Sequence, residues 1–265
     1  MEASPQGPIG IFDSGVGGLT VARAVRQLLP HEDIIYFGDT LHLPYGEKSP
    51  EAIIRYSTNI TEFLHAYDAK CILIACNSAS ANAYSSLVKN YPGRLFINVI
   101  DPVVSFISKQ SYAHVGVIGT KATISAKAYQ NRLMSPNMKI TAKATPLLAA
   151  MIEEGFTSGD VADAVIRAYL GNDPVRHSEA LILGCTHYPL IEAGIRNTVT
   201  KSCTIIDSPQ IVAETVKSKL DEYDISCTRR KPGTIRIFVS DLTPSFARLA
   251  ALFFGDNVEL TEKKS

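Results

Sequence analysis

Two short segments of this chain predict its architecture: Ile72-Leu73-Ile74-Ala75-Cys76-Asn77-Ser78 and Leu181-Ile182-Leu183-Gly184-Cys185-Thr186-His187. Each runs from apolar residues through a small residue to a cysteine, and then to residues that form hydrogen bonds. Apolar runs of this kind are typical of strands buried inside a parallel sheet. Because open α/β sheets bind ligands beyond the carboxyl ends of their strands, both cysteines are expected at such a site. Two thiols in matching contexts suggest a bound molecule with a thiol on each side.

The composition of the 265-residue chain argues against several classes of protein. Lys and Arg together number 26, as do Asp and Glu, so no bulk charge points to nucleic acid or to an anionic membrane. The first eight residues do not form a signal peptide, and no apolar run approaches the roughly 20 residues of a membrane span. The five cysteines include no C-x-x-C pair, which makes a disulfide framework improbable. We predict a cytoplasmic protein without nucleic-acid or membrane partners.

Strand and helix signals alternate along the chain and then begin again. Ile9-Gly10-Ile11-Phe12 predicts a strand, followed by the turn Asp13-Ser14-Gly15-Val16-Gly17-Gly18 and a helix. Val115-Gly116-Val117-Ile118-Gly119-Thr120 repeats this opening, and a cysteine strand follows later in each half. Such alternation predicts parallel sheets with helices on their faces.

We therefore predict an α/β fold of two similar three-layer domains with mostly parallel sheets. The domains are expected to be related by a pseudo-twofold axis, with the active site in the cleft between them. The first domain is assigned to residues 1–98 plus 211–265 and carries Asp13 and Cys76. The second domain is assigned to residues 99–210 and carries Cys185.

Cys76 and Cys185 differ from the other cysteines because each lies where a strand gives way to polar residues. A free thiol has a pKa of about 8.5, which falls near helix amino termini and cationic neighbours. His187 is a candidate proton partner for Cys185. Zinc binding by these two residues lacks further ligands at suitable spacing, and a redox disulfide leaves the flanking polar residues without a purpose. The remaining cysteines are expected to be small buried hydrophobes: Cys71, Cys203 and Cys227.

The glycine-rich turn at residues 13–18 resembles a dinucleotide-binding loop only superficially. It lacks the G-x-G-x-x-G spacing, and an aspartate there would repel a pyrophosphate. Asp13 is better placed to accept a hydrogen bond from a substrate ammonium group or to assist a thiol. A helix cap by Asp13 or Ser14 is the structural alternative and is compatible with that role. The glycines are expected to let the backbone approach a small ligand closely.

Three further features complete the candidate site. Pro44-Tyr45-Gly46 is a turn that could form one wall of a pocket. Thr120 and Thr123 lie where the first strand of the second half opens into its helix. Glu153 ends a helical stretch, where an exposed acidic side chain is the default interpretation.

Together these motifs resemble the glutamate racemases, a cofactor-independent family that supplies D-glutamate for peptidoglycan. The matching segments keep the family's order and spread over most of the chain: Gly10-Ile11-Phe12-Asp13-Ser14-Gly15-Val16-Gly17-Gly18-Leu19-Thr20, Pro44-Tyr45-Gly46, Ala75-Cys76-Asn77-Ser78-Ala79-Ser80-Ala81 and Leu183-Gly184-Cys185-Thr186-His187-Tyr188-Pro189. The family usually has threonine in place of Ser78, and the hydroxyl is retained. A Cys-Pro pair common in the family is replaced by Thr145-Pro146.

The resemblance implies a role for each matching residue. Cys76 and Cys185 would be the two proton-transfer groups, and Glu153 would support His187. The substrate contacts or assistants would be Asp13, Ser14, Tyr45, Gly46, Asn77, Ser78, Thr186 and His187, with Thr120 and Thr123 as further assisting residues. The resemblance implies glutamate as a small-molecule substrate and neither cofactor nor metal. It leaves a homodimer open.

Two other functions are considered. Aspartate racemases, or other two-cysteine members of the superfamily, tend to carry histidine after Asn-Thr-Ala and glutamate after Gly-Cys-Thr. Ser80 and His187 stand at those places, which favours glutamate. A non-catalytic binding protein would use the same cleft, but no feature of the sequence supports it independently.

Overall fold

The computed structural model describes residues 4–255 and 258–263. Ten strands occur in that part of the chain: β1 (Ile9–Asp13), β2 (Ile34–Gly38), β3 (Cys71–Ile74), β4 (Phe96–Asn98), β5 (His114–Gly119), β6 (Lys139–Ala144), β7 (Ala180–Gly184), β8 (Thr204–Ile206), β9 (Ile235–Val239) and β10 (Leu260–Glu262).

Twelve α-helices lie between the strands of the described chain: α1 (Leu19–Leu28), α2 (Pro50–Ala66), α3 (Asn77–Asn82), α4 (Tyr84–Asn90), α5 (Asp101–Ser108), α6 (Lys121–Ser125), α7 (Ala128–Arg132), α8 (Pro146–Glu153), α9 (Asp160–Leu170), α10 (Glu192–Thr198), α11 (Ser208–Glu222) and α12 (Pro244–Phe254). Several begin with an acceptor side chain and have a proline at the first or second helical position. Ser49, Asp207 and Thr243 each accept a hydrogen bond from a backbone N–H of the first turn of α2, α11 and α12. Such caps satisfy amides that the helix itself leaves unpaired.

The strands form two separate sheets in which every pairing is parallel. The larger sheet has the order β10-β9-β2-β1-β3-β4, and the smaller has the order β6-β5-β7-β8. In each half the first four strands of that half are arranged second, first, third, fourth. Both cysteines follow the third strand, β3 for Cys76 and β7 for Cys185. The prediction of an α/β fold with two sets of parallel strands is confirmed.

The larger sheet is covered on both faces, because successive side chains of a strand point to opposite sides. From β1, Ile9 and Ile11 join a core that also contains α1 and the apolar face of α11. Phe12 faces the other way, into a core that contains α2. Burying one such side chain contributes about 1.5–3 kcal/mol. These two cores hold the carboxyl ends of β1 and β3 in place, where the site residues begin.

The smaller sheet is a second three-layer unit. Leu181 and Leu183 of β7 pack among residues of α8, α9 and α10. Ile182 points to the opposite face, where α5 and α7 cover the sheet. The carboxyl end of β7 is thus fixed between two helical layers, as is that of β3 in the other half.

The predicted domain boundaries stay a prediction. They can be compared with the stretches of chain that supply the strands of each sheet. Strands of the larger sheet come from residues 9–98 and 235–262, and those of the smaller sheet from residues 114–206. The predicted boundary at residue 211 falls inside α11, whose buried side chains belong to the core of the larger sheet. Within the described residues, no helix combines the length and the apolarity needed to cross a bilayer.

Candidate active site

A narrow cavity lies where the two halves meet. All of the site residues predicted from the sequence line it except Asp13 and Thr123. Its walls consist of Ser14, Pro44, Tyr45, Gly46, Cys76, Asn77, Ser78, Thr120, Ala149, Glu153, Cys185, Thr186 and His187. The loops that follow β1, β3, β5 and β7 therefore converge on one space, as expected for carboxyl ends of parallel strands.

Cys76 enters the cavity as the residue that caps α3. Its Sγ accepts a hydrogen bond from the Ala79 amide at 3.5 Å, and the thiol lies 3.7 Å from the Ser14 hydroxyl. Burial raises the pKa of the Cys76 thiol, and the Asp13 carboxylate raises it further. The contacts with Ala79 and Ser14 act in the opposite direction but do not outweigh the burial. Cys76 is therefore a neutral thiol that can donate a proton.

Cys185 has a different environment, because it is paired with a histidine. The Sγ of Cys185 lies 3.5 Å from Nδ1 of His187, and Nε2 of the same ring lies 2.9 Å from Oε1 of Glu153. The Nε2 contact does not meet hydrogen-bond geometry, so its attraction is that of an ion pair. Burial lowers the pKa of His187, but the negative charges of Cys185 and Glu153 outweigh it and raise this pKa well above its usual value. His187 is therefore placed to exchange a proton with the Cys185 thiol.

Asp13 lies behind the cavity rather than in its wall. Its carboxylate is fully buried, accepts a hydrogen bond from the Gly18 amide at 3.0 Å, and accepts another from the Thr186 hydroxyl at 3.4 Å. Burial raises the pKa of Asp13, and the charge of His187 opposes that rise. Asp13 thus holds the loop after Cys185 from the opposite half, and its predicted contact with substrate stays a prediction.

The loop after Cys76 is held across the two halves in the same way. Tyr129 donates a hydrogen bond to Oδ1 of Asn77 at 2.7 Å, and Ser78 Oγ lies 2.8 Å from Thr120 Oγ1. Thr120 also donates to the Thr123 hydroxyl at 3.0 Å, so Thr123 supports the pair from outside the cavity. Each half therefore fixes the residues that follow the other half's cysteine.

The glycine-rich turn brings the two halves into close contact. A Cβ atom added to Gly17 would lie 2.5 Å from His187 Nδ1 and from Thr186 Oγ1. Gly46 meets Thr120 in a similar way, with an added Cβ 2.6 Å from Thr120 Cβ. The absence of side chains at these two glycines is explained by approach to protein atoms of the opposite half, whereas the sequence suggested approach to a ligand.

Several residues that shape the site carry no recognisable motif. Asp39 accepts hydrogen bonds from Tyr45 at 2.6 Å and Ser240 at 2.8 Å, and so fixes the phenol of a cavity residue. Ala149 lies one helical turn before Glu153 on α8, and this spacing was the available signal for it. Nothing in the sequence near Asp39, Ser240 or Tyr129 indicates these contacts, because their partners are distant along the chain.

The family departure at Thr145 lies outside the cavity. Thr145 is buried, and its hydroxyl lies 2.7 Å from that of Tyr188. As for metals, no group of three or more His, Cys, Asp or Glu side chains in the described ranges is arranged to hold an ion.

Comparison with known proteins places this geometry in a family. The model of the family described as Asp/Glu/Hydantoin racemase matches residues 19–216. The chain belongs to this family. It is an isomerase, and the predicted amino-acid racemase is confirmed, as is the family resemblance. The chain is 39% identical over 267 residues to a glutamate racemase of Chlorobium phaeobacteroides, covering 98% of each chain.

Solved structures of the family agree along nearly the whole chain. The crystal structure of glutamate racemase from Francisella tularensis in complex with D-glutamate is 35% identical, covers 98% of both chains and has a TM-score of 0.91. That of glutamate racemase from Thermus thermophilus in complex with beta-chloro-D-alanine is also 35% identical, covers 98% of this chain and 97% of that chain, and has a TM-score of 0.87. An aspartate racemase of Picrophilus torridus, 20% identical over 83% of this chain and 98% of that chain with a TM-score of 0.59, shares the fold alone.

Proposed function

We propose that this chain interconverts L-glutamate and D-glutamate by moving a proton between two cysteines and the α-carbon. The observation that carries the proposal is that Cys76 and Cys185, one from each half, line the same cavity. Relatives at 35–39% identity along nearly the whole chain are glutamate racemases, which supports glutamate as the substrate. By the same resemblance, the D-glutamate would supply peptidoglycan synthesis.

Two bases are needed because of the stereochemistry of the reaction. A single base would return the proton to the face from which it came. A thiolate on one face can remove the α-proton, and a thiol on the other face can supply a new one within the same catalytic cycle. The α-hydrogen of an amino acid is a very weak acid, so the growing negative charge must also meet fixed hydrogen-bond donors. The side-chain NH₂ group of Asn77, in the cavity wall, is one such donor.

The different environments of the thiols suggest how the resting enzyme is poised. The raised pKa of Cys76 keeps it protonated, whereas Cys185 has Nδ1 of His187 3.5 Å away as a partner that can take the proton of its thiol. In that state Cys185 would take the proton from L-glutamate, and Cys76 would protonate the opposite face to give D-glutamate. For D-glutamate the roles reverse, with Cys76 as the base. This assignment agrees with the roles implied by the family resemblance.

The experiment that tests the proposal is a racemisation assay on the purified chain with glutamate, aspartate and glutamine. We expect loss of optical activity with glutamate at a kcat/KM far above that for the other two. The Cys76→Ser variant, at the same enzyme concentration, should cause no loss of optical activity with glutamate. Preference for aspartate would support the aspartate racemase alternative. Binding of glutamate without turnover would support a non-catalytic role for the cleft.

A further inference from the structure

The hydroxyl of Tyr129 makes a short contact with a residue of the cavity wall. Tyr129 lies on α7 of the second half, is 1% exposed, and does not itself line the cavity. Its phenol oxygen is 2.7 Å from Oδ1 of Asn77, which directly follows Cys76 in the first half. The contact therefore joins the two halves beside one of the proposed catalytic thiols.

This contact favours one orientation of the Asn77 amide, because the buried O–H of Tyr129 needs an acceptor and Oδ1 of Asn77 is the one it has. The oxygen Oδ1 is occupied by the Tyr129 hydroxyl. The nitrogen Nδ2 makes no hydrogen bond within the described chain, is not fully enclosed, and belongs to a residue of the cavity wall. The amide oxygen and nitrogen are close in size, so the side chain could otherwise rotate and present an acceptor instead of a donor. An acceptor in that place would repel a carboxylate.

We propose that Tyr129 is a positioning residue that holds Asn77 with its NH₂ group toward a carboxylate of the bound amino acid. The inference rests on the proposed function, since it takes an amino acid as the ligand. Tyr129 acts through Asn77 and touches no substrate itself.

The chemistry of the phenol suits this role. Burial raises the pKa of Tyr129, and the nearby negative charge of Cys185 raises it further. The phenol thus keeps its proton throughout the physiological range and remains a donor to Oδ1. Because donor and acceptor belong to different halves, the orientation of Asn77 depends on the two halves being in contact. Asp13 and Thr186 are tied across the same boundary on the side of the other thiol.

The test compares Tyr129→Phe with the matched variant Tyr188→Phe. Both lose one buried hydroxyl from the second half, but Tyr188 bonds Thr145, which lies outside the cavity. For Tyr129→Phe we expect KM for D-glutamate and its dissociation constant, measured by calorimetric titration, to rise about tenfold. The kcat should fall as well, since the same donor meets the negative charge that grows on the substrate in the transition state. Tyr188→Phe should leave KM, the dissociation constant and kcat unchanged.

A double-mutant cycle separates positioning from a general structural effect. In an Asn77→Ala background, Tyr129→Phe should cause no further loss of affinity, because the side chain it orients is gone. An unchanged KM and dissociation constant in Tyr129→Phe would overturn the inference, as would an equal loss in both backgrounds. The titration needs no turnover, so a failure of the proposed racemisation shows separately, in the activity of the unaltered enzyme.

Discussion

His187 and Glu153 come together from distant parts of the chain, with Nε2 of the histidine 2.9 Å from Oε1 of the glutamate. The glutamate is the last residue of α8, and the histidine follows Cys185 after β7. Because the other nitrogen of the ring faces the Cys185 thiol, the carboxylate can influence that thiol through the ring. Among the described residues, Cys76 has no such chain of groups, and its hydrogen-bonding neighbours are the Ser14 hydroxyl and the Ala79 amide. The two thiols are thus supported by different chemistry.

The first prediction concerns the pH dependence of Glu153→Gln. Burial lowers the pKa of His187, whereas the charges of Cys185 and Glu153 raise it above its usual value. Removing the Glu153 charge therefore lowers it. Conversion of D- to L-glutamate needs a proton on the Cys185 side of the cavity, and His187 loses its proton as the pH rises through the pKa of this histidine. We expect the alkaline limb of kcat for this direction to move to lower pH in Glu153→Gln.

The control for this experiment is Glu154→Gln, which removes the same charge at an exposed position one residue later. Its pH profile should match that of the unaltered enzyme. An alkaline limb that stays in place in Glu153→Gln would mean that the carboxylate does not act on His187.

The second prediction concerns the handedness of the two thiols. Cys76→Ser and Cys185→Ser should each lose racemisation by orders of magnitude, because a serine hydroxyl is a far weaker acid than a thiol. In heavy water, residual exchange of the α-proton should favour L-glutamate in Cys76→Ser and D-glutamate in Cys185→Ser. Proton NMR of each enantiomer measures this directly.

Cys227→Ser is the matched control for the thiol variants, since Cys227 is partly exposed and lies outside the cavity. It should retain full racemisation. If either cavity variant instead keeps near-normal rates in both directions, a two-base mechanism is untenable and a single mobile base must be considered.

The sequence predicted both cysteine strands, and its resemblance to a known family predicted most residues of the cavity wall but not Ala149. Continuous apolar runs have few structural solutions other than buried strands, and parallel strands bring their carboxyl ends to one edge. The residues directly after β3 and β7 therefore had to lie near that edge. The repeated strand order of the two halves explains why Cys76 and Cys185 occupy equivalent positions.

Contacts between distant residues could not be predicted in this way. The default interpretation of Glu153 from its own segment was an exposed helix end, because only tertiary packing brings His187 to it. The bond of Tyr129 to Asn77 joins residues 52 positions apart, and neither segment has a pattern that indicates the other. Local sequence specifies strands and caps, whereas side chains from the opposite half depend on how the two halves are packed.

The last prediction tests that packing at Gly17. An added Cβ would lie 2.5 Å from His187 Nδ1 and Thr186 Oγ1, and both atoms belong to groups held by other contacts. In Gly17→Ala, either the loop after Cys185 or the glycine-rich turn must therefore move. Displacements of about 1 Å at a catalytic group can lower rates about a hundredfold, so we expect kcat/KM to fall by roughly that factor. Overpacking should also reduce the unfolding free energy by about 1–3 kcal/mol, measurable in urea.

Gly15→Ala provides the comparison within the same turn. The nearest atoms to an added Cβ at Gly15 are Glu153 Oε1 and Leu43 Cδ2, both at an ordinary contact distance of 3.5 Å. This variant should keep its activity and its stability within about 1 kcal/mol. If kcat/KM and the unfolding free energy change equally in the two variants, the close approach of Gly17 to His187 is not needed for catalysis. A selective loss in Gly17→Ala would instead link catalysis to the contact between the first half's glycine-rich turn and the second half's thiol–histidine pair.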